Sequence, residues 1–238
     1  MGLYEALKLA EAGDTISLAD GKYDTAIVSY RDGKEGQPIT LKSGPDAVII
    51  GGKDDSRSVQ INHSFISLLG FSVDGKIGDG SEPKDYIKKC VYVDGKDSEL
   101  DGFVMKELFV KNCGGECVRL KNSVVNAMIL ENTIEGCGVH DILDSEGKNG
   151  EGIYIGTSSN QWVDDETPDN CVDNLIEGNV ITNGIECVDI KEGSTGNIVQ
   201  GNFCSDQIDK KSGCFNIRGD DNTIRRDGFR KTLLVESF

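Results

Sequence analysis

The chain has 238 residues, 37 % of them hydrophobic, which is enough for one domain with a sizeable core. Asp and Glu number 41 against 25 Lys and Arg, so the formal net charge is −16. This charge repels nucleic acids and anionic membranes, and we expect neither as a partner. The sequence contains no run of 18 apolar residues, so no membrane-spanning helix is expected.

The eight cysteines are an even set without the paired CxxC motifs of a zinc module. This pattern favours core cysteines with about one to three disulfides over a metal role. Because disulfides persist in oxidising compartments, we expect a secreted, extracellular protein whose signal peptide is not present in this chain. The cysteines are Cys90, Cys113, Cys117, Cys137, Cys171, Cys187, Cys204 and Cys214.

The first predicted element is a helix over residues 3–12. Apolar residues at Leu3, Ala6, Leu7 and Ala10 follow the spacing of an amphipathic helix, and Gly13 ends it. From Thr15 onward, short runs of β-branched residues alternate with Gly, Asn and Asp, which indicates an all-β chain.

A four-residue unit with apolar first and third positions recurs along the chain at intervals of 27 to 35 residues. These intervals vary too much for a propeller but suit a solenoid whose coils accept insertions. A second unit ending in Asn132, Asn179 or Asn202 accompanies it, so we predict two strands per coil and a ladder of asparagines at one turn. The first unit starts at Val59, Val91, Val118, Ile153, Val188 and Phe215.

The predicted architecture is a single-domain right-handed parallel β-helix over residues 1–238, with roughly seven or eight coils and the helix at 3–12 as its N-terminal cap. The tail at 229–238 is rich in large apolar residues. We expect it to fold back over the last coil, with pairing to another copy as the alternative, so a monomer is favoured. The predicted core includes Val118, Leu120, Ile153, Ile155, Val188, Ile190, Phe215 and Ile217.

The opening of the chain, with Gly13-Asp14-Thr15-Ile16 and Gln37-Pro38-Ile39, resembles the pectate-lyase-like superfamily of β-helices. A later stretch, Glu186 to Lys191 followed by Asn216-Ile217-Arg218, is similar to the alginate lyase and chondroitinase B family. In that family a Lys and an Arg on adjacent coils carry β-elimination, and two glutamates before the Lys hold calcium. Glu186 matches the nearer glutamate, whereas Gly184 occupies the place of the other.

The second and fourth positions of the repeat point outward and form two columns, with neighbours about 4.8 Å apart. Cations in these columns, on an acidic protein, suit an anionic sugar chain. We expect Lys121, Arg119 and Asn216 to bind substrate and Gly156 to leave an open floor. The fourth-position column is Asn62, Asp94, Lys121, Gly156, Lys191 and Arg218, and the second-position column is Gln60, Tyr92, Arg119, Tyr154, Asp189 and Asn216.

The expected reaction is β-elimination on a uronic acid polysaccharide. A base must remove the proton next to the carboxylate while that charge is neutralised. Lys191 is the candidate base, Arg218 the carboxylate clamp and Tyr154 the proton donor to the leaving oxygen. Calcium on the oxygens of Glu186 and Asp189 would add to the neutralisation.

Other interpretations stay open at this stage. Lys191 and Arg218 could belong to a solvated ladder of surface ion pairs. The protein could be a non-catalytic carbohydrate-binding or adhesion β-helix, or a purely structural module. Trp162 is either a loop anchor or a sugar platform, and His140 is either a turn residue or a general acid or base. The acidic insertion is expected to be a solvated loop, with a calcium site as the alternative; its acidic residues are Asp164, Asp165, Glu166 and Asp169.

Overall fold

Each full coil of the chain contributes one strand to each of three parallel sheets, which we call sheets A, B and C in the order the chain visits them. The structure is a computed structural model, and it describes residues 1–52, 56–96, 98–144, 149–162, 168–208 and 213–230. Within these ranges, sheets A and B have eight strands each and sheet C has seven. The architecture is the predicted right-handed parallel β-helix.

The strands of each sheet stack in sequence order from the N-terminal end. Sheet A consists of Thr15–Ser17, Ile39–Lys42, Ile66–Leu69, Val104–Lys106, Met128–Leu130, Leu175–Glu177, Ile198–Gln200 and Thr223–Arg225. Sheet B consists of Gly21–Tyr23, Ala47–Ile49, Ser72–Asp74, Phe109–Cys113, Thr133–Cys137, Val180–Thr182, Phe203–Ser205 and Gly228–Arg230. Sheet C consists of Ile27–Val28, Arg57–Ile61, Lys89–Asp94, Val118–Lys121, Glu151–Ile155, Glu186–Ile190 and Phe215–Ile217.

A few short elements lie outside these sheets. The helices are Leu3–Leu9 and Val139–Asp144, with single 3₁₀ turns at Pro83–Asp85 and Ser159–Gln161. Leu100–Asp101 and Val124–Val125 form a small parallel pair. None of the helices in the described ranges is long and apolar enough to cross a membrane.

The core lies inside the coils, and the predicted strand register is confirmed. Val118 pairs with Val91 on one side and with Ile153 on the other, and Ile153 pairs with Val188. Of the eight predicted core residues, six are fully buried. Phe215 and Ile217 are half-buried because they lie on the last strand of sheet C and pack on only one neighbouring strand.

The prediction of two strands per coil is wrong, because sheet B supplies a third. Its strands are mostly three residues long, as in Val180–Thr182, where only the middle residue is buried. Such a strand is too short to show period-2 alternation in the sequence.

The asparagine ladder is confirmed, and a second one runs parallel to it. Asn132 Nδ2 donates to Asn179 Oδ1 at 2.8 Å, and Asn179 Nδ2 donates to Asn202 Oδ1 at 2.9 Å. Each amide also bonds the backbone, as Asn179 does with Ile129 O at 2.9 Å. The second ladder joins Asn174 to Asn197 at 2.8 Å. These amides satisfy the buried backbone groups where the chain turns between sheets.

Three disulfides cross the interior between sheets B and C, which confirms the expectation for the cysteines. The bonds are Cys90–Cys113, Cys117–Cys137 and Cys187–Cys204. Cys171 and Cys214 are free thiols.

The first helix is shorter than predicted, because Ala10 already has extended backbone angles. Its Leu7 side chain is buried against the first coil, as expected for a cap. At the other end, Gly228–Arg230 pairs with Phe203–Ser205 as a regular strand of sheet B. The rest of the predicted tail, residues 231–238, lies outside the described residues.

We predict that Asn179→Ala lowers the free energy of unfolding by about 3 kcal/mol or more, because it leaves the backbone N–H and side-chain amide of Asn132 without their shared acceptor. Urea denaturation measures the change. Asn170→Ala, at an exposed asparagine, serves as the control and should stay within about 0.5 kcal/mol. Equal stability of the two variants would show that the ladder contributes nothing.

Candidate functional site

The outer face of sheet C carries both columns that the repeat predicts. Arg119 pairs in register with Tyr92 and with Tyr154, and Tyr154 pairs with Asp189. Asp189 in turn pairs with Asn216. The candidate site residues predicted from the sequence therefore lie next to one another on adjoining coils.

A third column, which the sequence analysis missed, runs beside these two and contains Lys89, Glu116, Glu151 and Glu186. Glu151 and Glu186 are paired in register. By strict alternation these residues would point inward. Each of these residues is followed by two consecutive buried residues, as Glu116 is by Cys117 and Val118. Because two neighbouring residues both point inward, the alternation shifts by one residue, and the side chain before them points to the outer face. Contacts with the neighbouring outward column confirm the placement.

Asp189 lies at the centre of the site and binds both candidate cations. Its Oδ2 contacts Lys191 Nζ and lies 3.0 Å from Arg218 Nη2. The side chains of Asp189 and Lys191 are 1 % and 8 % exposed, so the expectation of solvated surface ion pairs is wrong for this pair. The Arg218 side chain is 36 % exposed and is the accessible member. The pKa of Arg218 is raised overall. Burial works to lower it, but the negative charges of Asp189 and Glu192 outweigh that effect.

Tyr154, in the second-position column, lies close to two cations. The Arg119 guanidinium carbon lies 3.8 Å from the centre of the ring, and Lys191 Nζ lies 4.4 Å from it. Burial raises the pKa of the Tyr154 phenol, so that it keeps its proton at neutral pH. The arrangement suits a proton donor.

Arg119 is engaged by protein groups. Its Nη1 donates to Glu116 Oε1 at 2.8 Å, and its Nη2 donates to Thr157 Oγ1 at 3.3 Å. Burial works to raise the pKa of Glu116, but Lys89 and Arg119 together lower it, and the carboxylate stays charged. Arg119 is 6 % exposed, so its placement favours support of Tyr154 over direct contact with a ligand.

Three carboxylates converge beside Asn216. Ligand oxygens of Glu151, Glu186 and Asp189 all lie within 4.8 Å of one another, and Asn216 Nδ2 donates to Glu186 Oε1 at 3.3 Å. The two predicted calcium ligands are thus brought together. The second glutamate beside Glu186 comes from the neighbouring coil, as Glu151, and not from position 184. The register that pairs Glu151 with Glu186 is the sequence signal that could have identified Glu151.

This cluster can hold a metal by its donor chemistry, since calcium prefers several carboxylate oxygens. Glu151 is the unusual member. Burial, followed by the nearby charge of Glu116, raises the pKa of Glu151 to about 7. A carboxyl group in this position holds either a proton or a nearby cation near neutral pH.

The expected open floor at Gly156 is filled. Gly156 is buried with a φ of +83°, and a Cβ there would lie 2.4 Å from Ser194 Oγ. The glycine is therefore required by the backbone turn and the close approach of Ser194. Lys121 lies one coil closer to the N-terminus than Gly156, where the outer face opens into a cavity.

The insertion after Gly156 packs against the site. Trp162 Nε1 donates to Thr157 O at 2.9 Å, which supports its role as a loop anchor. Asp169 is buried and accepts a hydrogen bond from Thr157 Oγ1 at 2.6 Å, so its assignment to a solvated loop is wrong. Residues 164–166 lie outside the described residues. His140 lies in the helix Val139–Asp144 and not in a turn, and its Nε2 lies 3.1 Å from Tyr86 O. This contact favours a structural role for His140 over that of a general acid or base.

Comparison with known proteins agrees with this architecture. The family model for chondroitinase B matches residues 1–76, about a third of the chain. No protein among the curated sequences matches. The alginate lyase from Paenibacillus sp. str. FPU-7 is similar in structure, with a TM-score of 0.80 and 24 % identity over 94 % of this chain and 72 % of that one. The similarity shows that the chain shares the right-handed parallel β-helix fold of this lyase.

Two further lyase structures are similar to this β-helix. Pectate lyase Pel9A matches with a TM-score of 0.65 and 12 % identity over 92 % of this chain. A mannuronic acid specific family 6 lyase from human gut microbiota matches with a TM-score of 0.54 and 17 % identity over 93 % of this chain. The matches cover 52 % and 49 % of those two proteins, so this chain spans about half of their length.

We predict that Glu151→Gln stabilises the protein at high pH in a buffer containing EDTA. A folded-state pKa of about 7, raised from 4.5, means that the stability linked to this proton is present at low pH and is lost as the pH rises through 7. Removal of the charge should raise the unfolding free energy by about 2–3 kcal/mol more at pH 8.5 than at pH 5. Thermal denaturation across this range measures it.

Glu135→Gln, at an exposed glutamate of sheet B, is the control and should show no such pH dependence. A Glu151→Gln variant that is less stable than the parent at pH 8.5 would show that the ionised carboxylate is stabilised by its surroundings, which contradicts the raised pKa.

Proposed function

We propose that this protein cleaves an acidic, uronic acid-containing polysaccharide by β-elimination. The observation that carries the proposal is the convergence of an amine, a guanidinium and a phenol around Asp189, provided by Lys191, Arg218 and Tyr154. The similar structures are named as alginate, pectate and mannuronic acid lyases, which supports an anionic sugar chain as the substrate. We further propose that the protein acts outside the cytoplasm as a monomer; its three disulfides support that location.

In the proposed reaction, Arg218 binds the substrate carboxylate, and its planar guanidinium suits two parallel hydrogen bonds to that group. Lys191 in its neutral form takes the proton from the carbon beside the carboxylate. The electron pair of that bond forms a carbon–carbon double bond as the glycosidic oxygen leaves. Tyr154 donates its proton to the leaving oxygen.

The contact between Lys191 and Asp189 favours the product of the proton transfer. Once Lys191 has become an ammonium, the buried carboxylate of Asp189 lies directly against it. The charge formed in the reaction is thus stabilised by a group already in place. The guanidinium of Arg119 lies over the Tyr154 ring and helps to hold the ring in place.

Calcium is proposed as a cofactor held by Glu151, Glu186 and Asp189, whose oxygens fit this cation. When bound, it would help to neutralise the carboxylate of the substrate. Arg218 performs the same neutralisation within the chain itself, so some turnover is expected without the metal.

A non-catalytic carbohydrate-binding protein is the second candidate function. It is favoured by the burial of the acid–base groups, since Lys191 and Tyr154 are only 6 % and 5 % exposed. A structure of this kind would bind an anionic chain through Arg218 and Lys121 without cleaving it.

We predict that the protein releases unsaturated uronate from at least one of alginate, polygalacturonate, glucuronan and chondroitin, and that Lys191→Gln lowers kcat at least about 100-fold because the base is lost. Arg218→Gln should lower kcat/KM by about 100-fold or more. Ultraviolet absorbance of the product measures both. Lys22→Gln, at an exposed lysine of sheet B, is the matched control.

Binding of a polysaccharide without any increase in absorbance would contradict the lyase function and favour the carbohydrate-binding function. Turnover that is equal in the parent and in both site variants would place the reaction elsewhere. Circular dichroism of each variant separates these results from loss of the fold.

We expect removal of calcium with EDTA to lower the turnover and its restoration to recover it, because the three carboxylates then lack their shared cation. Titration calorimetry with calcium chloride should show one site in the parent and none in Glu186→Gln. Absence of calcium binding in the parent would remove the cofactor from the proposal and leave neutralisation to Arg218.

A further inference from the structure

The insertion that follows Gly156 has its two ends joined by a buried hydrogen bond. Thr157 begins the insertion, directly after the strand that carries Tyr154, and Asp169 lies near its other end. Both side chains are buried, and Thr157 Oγ1 donates to Asp169 Oδ2 at 2.6 Å. The indole Nε1 of Trp162 donates to Thr157 O at 2.9 Å and so fixes the backbone at this position. The hydroxyl of Thr157 is therefore held from both ends of the insertion.

Asp169 is fixed by several donors besides Thr157. The backbone N–H of Ser123 and the thiol of Cys171 both donate to Asp169 Oδ1, at 3.3 Å and 3.4 Å. Ser194 Oγ donates to the backbone carbonyl of Asp169 at 3.2 Å. Burial raises the pKa of the Cys171 thiol, so this group keeps the proton that it donates. The Asp169 carboxylate consequently has one orientation, with Oδ2 directed at Thr157.

The Thr157 hydroxyl passes this fixed orientation on to Arg119. A hydroxyl has a single proton, and since that proton goes to Asp169, the Thr157 oxygen offers a lone pair to Arg119 Nη2 at 3.3 Å. Arg119 Nη1 donates to Glu116 at 2.8 Å, whereas its Nε is buried without a hydrogen-bonding partner among the described residues. Two anchors on different nitrogens define the plane of the rigid guanidinium, which one anchor alone would not do.

The plane of the Arg119 guanidinium matters because it lies against the Tyr154 ring, 3.8 Å from the ring centre. The chain contains a second contact of this kind, with the guanidinium carbon of Arg57 at 3.9 Å from the centre of the Tyr92 ring. Arg57 is half-buried and bonds Gln60 of its own strand, whereas Arg119 is buried and bonds the insertion. The anchor from the insertion thus distinguishes the arginine at the proposed site.

We propose that Thr157 and Asp169 are positioning residues: together they hold the Arg119 guanidinium against the Tyr154 ring and so fix the direction in which the phenol points. Neither residue contacts the substrate. The insertion acts on the site through the buried hydrogen bonds from Asp169 to Thr157 and from Thr157 to Arg119. The inference rests on the proposed function for the role of Tyr154 as a proton donor, whereas the positioning itself needs no catalysis.

Thr157→Val tests the proposal, because it removes the hydroxyl and nearly keeps the shape of the side chain. On the polysaccharide that is cleaved, kcat should fall about ten-fold because the proton donor is displaced, while KM changes less than about two-fold. Thr157→Ser keeps the hydroxyl and should recover kcat to within about two-fold. Asp169→Asn removes the charge that holds the Thr157 proton and should lower kcat about three-fold or more. Thr133→Val, at an exposed threonine of sheet B, is the matched control.

A double-mutant cycle shows whether Thr157 acts through Arg119. In the Arg119→Gln background, Thr157→Val should lower kcat less than about two-fold, because the partner of the hydroxyl is already lost. A fall of about ten-fold in that background would show that Thr157 acts independently of Arg119, and it would overturn the inference. Circular dichroism and the melting temperature of each variant separate these results from loss of the fold, and Asp169→Asn serves if Thr157→Val does not fold.

Carbon-13 labelled tyrosine gives a readout that needs no substrate. The chain has six tyrosines, and the ring signal of Tyr154 is identified by its absence from the spectrum of Tyr154→Phe. Thr157→Val should move this signal more than those of the other tyrosines, because the guanidinium beside the ring is displaced. Thr157→Ser should return it to the position of the parent protein, and Thr133→Val should leave every tyrosine signal unchanged.

These measurements separate the inference from the proposed function. If the parent cleaves no polysaccharide but the Tyr154 signal moves in Thr157→Val and returns in Thr157→Ser, the positioning is confirmed and the lyase is wrong. If the parent is a lyase but Thr157→Val leaves kcat unchanged, the inference is wrong and the lyase stands. If the Tyr154 signal moves in neither Thr157→Val nor Asp169→Asn, the inference is wrong whatever the activity of the parent.

Discussion

In-register parallel stacking is the constraint on which the rest of this structure depends. Each strand of sheet C pairs residue for residue with the strands of the coils before and after it. Every sequence position of a coil thus becomes part of a column with a spacing of about 4.8 Å. Inside the helix the columns are aliphatic, and at two turns they are asparagines whose amides bond to one another. Outside, the same rule aligns ionisable groups that no single coil would bring together.

Charges at this spacing are stable only if opposite signs or polar groups alternate, because neighbouring like charges repel each other strongly when they are buried. Two groups of charges on the outer face of sheet C follow this rule. Glu116 lies between Lys89 and Arg119, and Asp189 lies between Lys191 and Arg218. The column of Glu116, Glu151 and Glu186 departs from this rule, because it places buried acids side by side on successive coils. Burial, followed by the charge of Glu116, raises the pKa of Glu151, and this group belongs to the cluster it forms with Glu186 and Asp189.

Period-2 alternation accounts for what could be predicted from the sequence. It was sufficient for the register, for the core of sheet C and for the neighbourhood of Tyr154, Lys191 and Arg218. It was not sufficient for the glutamate column, because two successive buried residues such as Cys187-Val188 reverse the direction of the side chain before them. Nor does period-2 alternation indicate how deeply a side chain is buried: Lys191 and Asp189 have outward positions, yet both are buried.

The difference in exposure along the outer face indicates how an anionic ligand would approach. Asp189, Lys191 and Tyr154 are buried, whereas Arg218 on the next coil is 36 % exposed and Lys121 is half-buried. In the proposed site, a carboxylate from solution would therefore meet Arg218 first and would compete with Asp189 for the guanidinium. If Arg218 binds the ligand, Asp189 would keep its contact with Lys191, so its buried carboxylate would retain a hydrogen-bonding partner during the exchange. This exchange gives a physical reason for a carboxylate shared between two cations at the centre of the proposed site.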